Sequence, residues 1–467
     1  MNDILLRNRT FDQLEIGESA SLVRLAEQKD IDLFSAMSGD VNPAHTDAAF
    51  ASGDLFGHVV VQGLWTASLI SAVLGTKLPG PGTIYLDQNL QFQRPVVPGD
   101  VITTTVTVKE KRAEKHIVLL DTRCINQKGQ VVLLGTATVI APDTPVAWPQ
   151  TVRPDIAVRR HDRYEAFIRD ARSRPALRTA IVHPCSVDAI RAAIEARDEG
   201  LLDPLLIGPE AKIRAAAEAA QVSLDGVALE AVEHSHAAAA RAVELGAAGK
   251  VDALMKGSLH SDELLSAVVA SSSNLRTARR ISHVYAMDVP AYSKPLVVTD
   301  AAVNIAPSLE QKRDICQNAI DLLHVLGVDM PRVAVLAAEE TVNARMPTTL
   351  DAAALTVMAA RGQITGALVD GPLAFDNAIS PTSAQTKGIA SPVAGQADIL
   401  LVPDLEAGNM LAKQLMYFAG ADGAGLVLGA RIPIILTSRA DTLRVRLASA
   451  ALAKLVAAHR PRGLVQS

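Results

Sequence analysis

Apolar and polar positions alternate over three long runs in the first 140 residues. The runs are rich in valine and threonine and cover residues 101–108, 117–124 and 131–140. Such alternation predicts half-buried antiparallel strands, and the polar break at 126–129 predicts a hairpin between the last two. Residues 63–74 are apolar on most sides, which predicts a buried helix. We therefore expect an α+β domain over residues 1–141, with an antiparallel sheet around one central helix.

The pattern changes after residue 141. Four prolines, Pro142, Pro145, Pro149 and Pro154, predict an extended linker over residues 142–160. From residue 161 to the end, short apolar runs alternate with helix-length segments, which indicates parallel sheets covered by helices. The pattern continues for about 300 residues, more than one core usually serves. We expect a two-lobed α/β domain with a cleft and a second lobe inserted at about residues 285–425.

Composition supports a folded protein and excludes some classes of partner. The chain has 467 residues, of which 49% are apolar and 20% charged, a balance that builds cores. A net charge of −5 and only 3% aromatic residues argue against a nucleic-acid surface. The three cysteines, Cys124, Cys185 and Cys316, form no CxxC pair, which argues against zinc and fits a reducing compartment. We expect a cytoplasmic protein without a signal peptide or membrane span.

A turn in the first half holds the first candidate chemistry. Asn42-Pro43 predicts a bend, which could let Asp40 and His45 face one point and activate one water. The alternative is a polar surface turn, in which Asp40 caps a helix and His45 is solvated. The turn by itself favours this alternative.

Four blocks in order, residues 40–45, 63–71, 78–85 and 92–100, resemble the MaoC-type (R)-specific enoyl-CoA hydratases of the hot-dog fold. The resemblance implies that Asp40 and His45 activate water for addition to C3 of a trans-2-enoyl thioester, which gives an (R)-3-hydroxyacyl-CoA. It also implies that backbone N–H groups near Gly63 stabilise the thioester oxygen, that Ser71 lies near the pair, and that Asn42 binds the substrate or CoA. Gln62 stands where the family often has histidine, and we expect it to alter substrate fit without removing the backbone donor.

A second candidate site lies near the C-terminus. The chain has neither the GxGxxG nor the P-loop glycine pattern, so a dinucleotide or P-loop site is not indicated. The pattern of residues 432–441 instead predicts a strand followed by the start of a helix. Here Ser438 can cap or donate, Arg439 can bind phosphate, and Asp441 can act as base or cap. The alternative is an ordinary capped helix with a surface Arg–Asp pair.

Residues from about 160 to the end resemble the phosphate acetyl/butyryl transferases. The matching blocks are 252–257, 281–285, 299–304, 391–398, 403–409 and 437–441. The resemblance implies an isocitrate/isopropylmalate dehydrogenase-like two-lobed fold, in which inorganic phosphate attacks an acyl-CoA thioester. Ser438 would stabilise the oxyanion or the leaving thiolate, and Arg439 would bind phosphate. Further residues are expected at the substrate or CoA: Lys256, Asp300, Asn304, Gly408 and Asn409.

Two positions depart from the acetyl-specific branch of that family. A carboxylate proposed as its base falls at Val445, which leaves Asp441 as the nearest substitute. An arginine of the acetyl branch falls at Tyr417. Both departures look more like the butyryl branch.

The two resemblances together predict a bifunctional acyl-CoA enzyme. CoA thioesters and phosphate are its substrates, with no cofactor or metal, and by analogy it forms a homo-oligomer. The alternatives are that only one module is active, that the protein is an acyl-CoA sensor, or that the first domain is a thioesterase. A decarboxylating dehydrogenase would need a metal-binding aspartate cluster, which the sequence does not show convincingly.

Overall fold

The computed structural model describes residues 5–150, 156, 162–437 and 441–459. The chain divides into two compact units, residues 1–159 and 160–467. Within the described residues, no helix has both the length and the apolar character to cross a membrane.

The described part of the first unit contains seven strands and four α-helices. The strands are β1 (Leu5–Arg7), β2 (Ser19–Leu25), β3 (Ile84–Phe92), β4 (Val101–Arg112), β5 (Ile117–Ile125), β6 (Val131–Ile140) and β7 (Ala147–Pro149). The helices are α1 (Gln28–Ser38), α2 (Pro43–Thr46), α3 (Ala48–Gly53) and α4 (Gly63–Thr76). Five strands form an antiparallel sheet in the order β2-β4-β5-β6-β3.

The predicted sheet and central helix of this unit are confirmed. Residues Ile70, Val73 and Leu74 of α4 are fully or almost fully buried in one cluster with Val106 and Leu120 of the sheet. The alternation of buried and partly exposed positions along β4 and β5 shows why threonine and valine alternate there. The hairpin is also confirmed, since the Asn126 N–H donates to the Gln130 carbonyl.

Part of the predicted linker is a strand. Residues Ala147–Pro149 form β7, which pairs antiparallel with β1. Pro149 is the last residue of this strand, which pairs on one side only, and proline is tolerated in such edge strands. Prolines therefore indicate only an extended backbone here, and the partner strand lies 140 residues away in sequence.

The second unit contains eleven strands and eleven helices among its described residues. The strands are β8 (Leu177–Val182), β9 (Leu202–Gly208), β10 (Ala228–Ala231), β11 (Ala253–Lys256), β12 (Ser282–Asp288), β13 (Leu296–Thr299), β14 (Arg332–Leu336), β15 (Leu368–Leu373), β16 (Ile399–Leu401), β17 (Asp422–Leu428) and β18 (Ile434–Ile435). The helices are α5 (Asp162–Arg172), α6 (Val187–Asp198), α7 (Glu210–Ala220), α8 (Ser235–Ala247), α9 (Ser261–Val269), α10 (Leu309–Val325), α11 (Pro347–Ala360), α12 (Phe375–Ile379), α13 (Pro381–Thr386), α14 (Leu405–Tyr417) and α15 (Leu443–Ala458).

The prediction of separate parallel sheets is wrong. All eleven strands form one mixed sheet in the order β10-β9-β8-β11-β18-β17-β12-β13-β16-β14-β15. Its two arms are parallel, but β17 pairs antiparallel with β18 and β12, and β12 pairs antiparallel with β13. These central strands join the two arms into one continuous layer.

Candidate active sites

The bend at Asn42-Pro43 brings Asp40 and His45 together. Helix α1 ends at Ser38, and Gly39 takes the left-handed conformation that turns the chain. Asn42 then starts α2 by accepting a hydrogen bond from the Ala44 N–H, with Pro43 at the first helical position. The result places His45 Nε2 4.0 Å from Asp40 Oδ2.

The hydrogen bonds of this pair define which atoms remain available for chemistry. His45 Nδ1 lies 2.7 Å from the Val60 carbonyl oxygen, which can only accept, so Nδ1 carries a hydrogen. In the neutral ring, Nε2 is then the nitrogen with the free lone pair. Asp40 Oδ1 accepts from the Asn42 N–H. A separation of 4.0 Å is too long for a direct hydrogen bond, but one water can contact both atoms.

An apolar cavity of about 320 Å³ begins at His45. Its wall includes Phe56, Val60, Phe92 and the first residue of α4, Gly63. A Cβ at Gly63 would lie 2.9 Å from Phe92 Cε1, so only glycine leaves the ring where it is. No side chain caps α4, and the first N–H groups of a helix have no partner within it. The cavity therefore combines an apolar wall, an imidazole and backbone donors.

Gln62 does not line this cavity, contrary to the expectation that it alters substrate fit. Its side chain is buried, and Nε2 donates to Ser35 Oγ of α1 at 2.9 Å. Its Oε1 has no hydrogen-bond partner among the described residues. Gln62 therefore ties α1, which leads into the Asp40 turn, to the start of α4.

In the second unit, a cavity of about 260 Å³ with polar and apolar residues in its wall lies where β8, β11 and β18 end. Lys256, the last residue of β11, is 91% buried in its wall and donates to the Leu259 carbonyl at 3.4 Å. Ser186 caps α6, and its hydroxyl lies 3.0 Å from that of Ser258. Thr437, two residues after β18, also lines the cavity. Arg446 and one carboxylate, Asp188, also line the cavity. The two cationic side chains, the hydroxyls and a helix N-terminus outweigh the single carboxylate, so the site suits an anion.

A buried imidazole lies beneath the segment that follows β18. His283 of β12 is fully buried, with Nε2 3.4 Å from the Leu436 carbonyl oxygen and the ring edge-on to Tyr285. Burial lowers the pKa of His283, so the ring is neutral. Burial, together with the nearby Asp441 carboxylate, raises the pKa of Tyr285. Asp441 is therefore within electrostatic reach of this pair.

Residues 228–454 match the family described as phosphate acetyl/butaryl transferase, and residues 12–128 match the MaoC like domain. A phosphate acetyltransferase of Rhizobium meliloti is 57% identical over 298 residues, which span 64% of this chain and 94% of that protein. The chain belongs to the phosphate acetyl/butyryl transferase family. Its first unit is a MaoC-like hot-dog domain fused to the transferase.

Two solved structures add to this comparison. A branched-chain phosphotransacylase from Enterococcus faecalis V583 is 28% identical and covers 60% of this chain and 99% of its own, with a TM-score of 0.53. An (R)-hydratase from A. caviae is 42% identical, covers 28% of this chain and 98% of its own, and has a TM-score of 0.27. The transferase unit therefore shares the phosphotransacylase fold.

Four of the predicted transferase residues, Asp300, Asn304, Gly408 and Asn409, form a packed and hydrogen-bonded cluster that lines neither of the two cavities described above. Asp300 accepts from the Ala302, Val303 and Asn304 N–H groups, and Asn304 Nδ2 donates to the Ile281 carbonyl. Gly408 of α14 packs so closely that a Cβ would lie 2.3 Å from the Asp300 carbonyl oxygen. Asn409 Nδ2 donates to the Ala301 carbonyl at 3.2 Å. This cluster fixes the loop after β13. A role of its four residues in CoA binding stays a prediction.

The remaining predicted residues have different outcomes. Ser438 and Arg439 lie outside the described residues. Ser71 is exposed and is not part of the cavity wall beside His45. Val445, at the position of the acetyl-branch base, is buried in α15, whereas Tyr417 is 69% exposed.

Sequence reasoning assigned no role to His283 and Tyr285. Both lie in a block that resembles the transferase family, and the alternation along β12 places the two rings on one face of the sheet. The signal was present in the block at 281–285, but a single histidine in an apolar strand is typical of a core residue.

Proposed function

We propose that the second unit transfers an acyl group reversibly between CoA and inorganic phosphate. The observation that carries this proposal is the 57% identity over 94% of a phosphate acetyltransferase. The anion-suited cavity of Lys256, Ser258 and Thr437 supports it, because Thr437 directly precedes the predicted Ser438-Arg439 pair.

In the proposed reaction, a phosphate oxygen bonds to the thioester carbonyl carbon. The C–S bond then breaks, so that acyl phosphate and CoA thiolate leave. Arg439 and Lys256 bind the phosphate, Ser438 stabilises the oxyanion or the thiolate, and Asp441 accepts a proton from phosphate. Acetyl-CoA is the first substrate to test because of the name of the 57% identical relative, whereas Val445 and Tyr417 favour a longer acyl group.

We propose that the first unit hydrates trans-2-enoyl-CoA to (R)-3-hydroxyacyl-CoA. The observation that carries this proposal is the Asp40–His45 pair beside an apolar cavity with backbone donors at Gly63. The water oxygen bonds to C3, the C2–C3 double bond becomes single, and a water proton passes to His45 Nε2 or Asp40. The pair then returns this proton to C2, so that one water has been added across the double bond, and the N–H groups of α4 stabilise the charge on the thioester oxygen.

The second candidate is that only one unit is active and the other binds acyl-CoA or supports oligomerisation. The exposed side chain of Ser71 favours this candidate for the first unit, because one predicted site residue does not reach the cavity. An acyl-CoA sensor would bind the same thioesters without turnover.

The proposal also covers the cofactor requirement, the oligomeric state and the location of the protein. Both reactions use CoA thioesters with water or phosphate and need no cofactor. Strand β3 is an edge strand with exposed apolar side chains at Ile84 and Leu86, which supports a homo-oligomer. The three cysteines form no disulfide, which supports a cytoplasmic location. An isocitrate/isopropylmalate dehydrogenase-like description of the second unit also stays a proposal.

Two assays on one preparation test the proposal. The first follows phosphate-dependent thiol release from acyl-CoA of increasing chain length, and the second follows loss of enoyl absorbance from crotonyl-CoA. We expect both activities, with a maximum at a short acyl chain in the first. Thiol release that does not depend on phosphate would contradict the transferase proposal, and unchanged enoyl absorbance would leave only the second candidate.

A further inference from the structure

A second cavity of the transferase unit lies at the opposite ends of the central strands from Lys256. Lys256 and Thr437 follow the carboxyl ends of β11 and β18, which run parallel. Strand β17 runs antiparallel to β18, and the second cavity lies where β17 ends, at Leu428. Its volume is about 910 Å³, within the range of sites that take small ligands.

One side of this cavity is basic. Three arginines, Arg276, Arg279 and Arg431, line it together with a single carboxylate, Asp321. Arg279 forms an ion pair with Asp321. Arg276 is exposed and forms neither a hydrogen bond nor an ion pair through its side chain within the described part of the chain. The cavity therefore carries an excess of positive charge with at least one guanidinium group available to a ligand.

The rest of the wall is mainly apolar, with three polar side chains, Thr277, Asn318 and His459. Its apolar residues are Leu322, Val325, Leu428 and Val456. The segment before β12 is fixed, since Thr277 Oγ1 donates to the Gly429 carbonyl at 2.5 Å and Asn318 Nδ2 donates to the Arg280 carbonyl at 2.9 Å. Asn318 is 96% buried. A preformed wall reduces the entropy that a ligand loses on binding.

We propose that this cavity binds an organic phosphate of nucleotide size. The arginines bind the phosphate groups as planar cations, and the apolar wall packs against a flat base. Inorganic phosphate would reach only the charged side, so it binds more weakly. The same chemistry occurs in free nucleotides and in the nucleotide end of CoA, and ATP and CoA are the probes for these two sources.

Isothermal titration calorimetry of the full chain with ATP, CoA and inorganic phosphate tests the proposal. Arg276→Ala should weaken binding of ATP, of CoA or of both by about tenfold, since a hydrogen bond between charged groups is lost. Asp321→Asn should tighten the same binding, because it removes the opposing carboxylate. Arg361→Ala, at an exposed arginine outside the cavity, is the matched control and should change nothing.

Opposite effects of Arg276→Ala and Asp321→Asn would distinguish a charged ligand site from damage to the fold, which would weaken binding in both. An effect on ATP assigns the cavity to free nucleotides, and an effect on CoA alone assigns it to the nucleotide end of the thioester. If neither ATP nor CoA binds, or if binding is lost in Lys256→Met and kept in Arg276→Ala, the proposal is wrong.

Discussion

Single hydrogen bonds decide what the candidate catalytic groups can do. Asp40 and His45 were predictable from the Asn42-Pro43 bend and the surrounding blocks, and the structure brings them to 4.0 Å. The tautomer of His45 was not predictable, because the carbonyl that fixes it belongs to Val60, 15 residues further along the chain. Likewise, the sequence indicated Lys256 but not the two serine hydroxyls that share its cavity.

Lys256→Met tests the anion cavity. Methionine keeps most of the length of the buried side chain and removes its charge, so we expect the KM for phosphate or for acyl-CoA to rise about tenfold or more. Steady-state kinetics of phosphate-dependent thiol release measures this change. Lys250→Met, at an exposed lysine outside the cavity, is the control. Equal kinetics in the two variants would exclude a role for the Lys256 charge.

His283 predicts a pH dependence of stability. Burial lowers its pKa in the folded protein, against an ordinary value of 6.5 that applies to the unfolded chain, and the charge of Asp300 only partly opposes this shift. Unfolding therefore takes up a proton below about pH 6.5, so the free energy of unfolding falls as the pH drops from 7 to 5. The contribution reaches at most about 1.4 kcal/mol per pH unit.

Urea unfolding of wild type and His283→Gln at pH 8, 7, 6 and 5 measures this contribution. We expect a smaller loss of stability towards low pH in the variant, because glutamine takes up no proton. The same dependence on pH in both proteins would show that His283 is not the titrating group.

Strands with regular alternation were predictable in their bounds, and the buried parallel strands were predictable as short apolar runs. Strand β6 has the predicted bounds, and β4 and β5 extend the predicted runs by only a few residues. Strands β12 and β17 do not stand out as apolar runs, because β12 contains Ser282, His283 and Asp288 and β17 contains two glycines. Their antiparallel direction depends on partners distant in sequence, which no local pattern records.

Gly63, at the start of α4, allows a test of how this helix shapes the cavity beside His45. In Gly63→Ala, the added Cβ would lie 2.9 Å from Phe92 Cε1, so the ring must shift into the cavity wall. We expect kcat/KM for crotonyl-CoA hydration to fall about tenfold to a hundredfold, with thiol release by the second unit unchanged.

The double variant Gly63→Ala with Phe92→Leu is the control for this explanation. Leucine leaves room for the new Cβ, so part of the hydration activity should return. If the double variant is no better than Gly63→Ala, contact with the Phe92 ring is not the reason for the loss.

At the scale of the whole molecule, two compact units share one chain, and the edge of β3 offers a surface for association. Leu86 is 51% exposed on this edge strand. If the proposed homo-oligomer forms through β3, Leu86→Lys should lower its mass in size-exclusion chromatography with light scattering, because a charge on an edge strand opposes pairing. Val342→Lys, at an exposed valine of the second unit, is the matched control. An unchanged mass in Leu86→Lys would exclude β3 from the interface.

The most direct measurement of the central claim compares both activities in two variants of the full chain. Asp40→Asn should abolish hydration of crotonyl-CoA and leave phosphate-dependent CoA release intact, because the carboxylate belongs to the first unit. Arg439→Ala should do the reverse. If either substitution, in a protein that remains folded, abolishes both activities, two independent acyl-CoA sites on one chain are the wrong description.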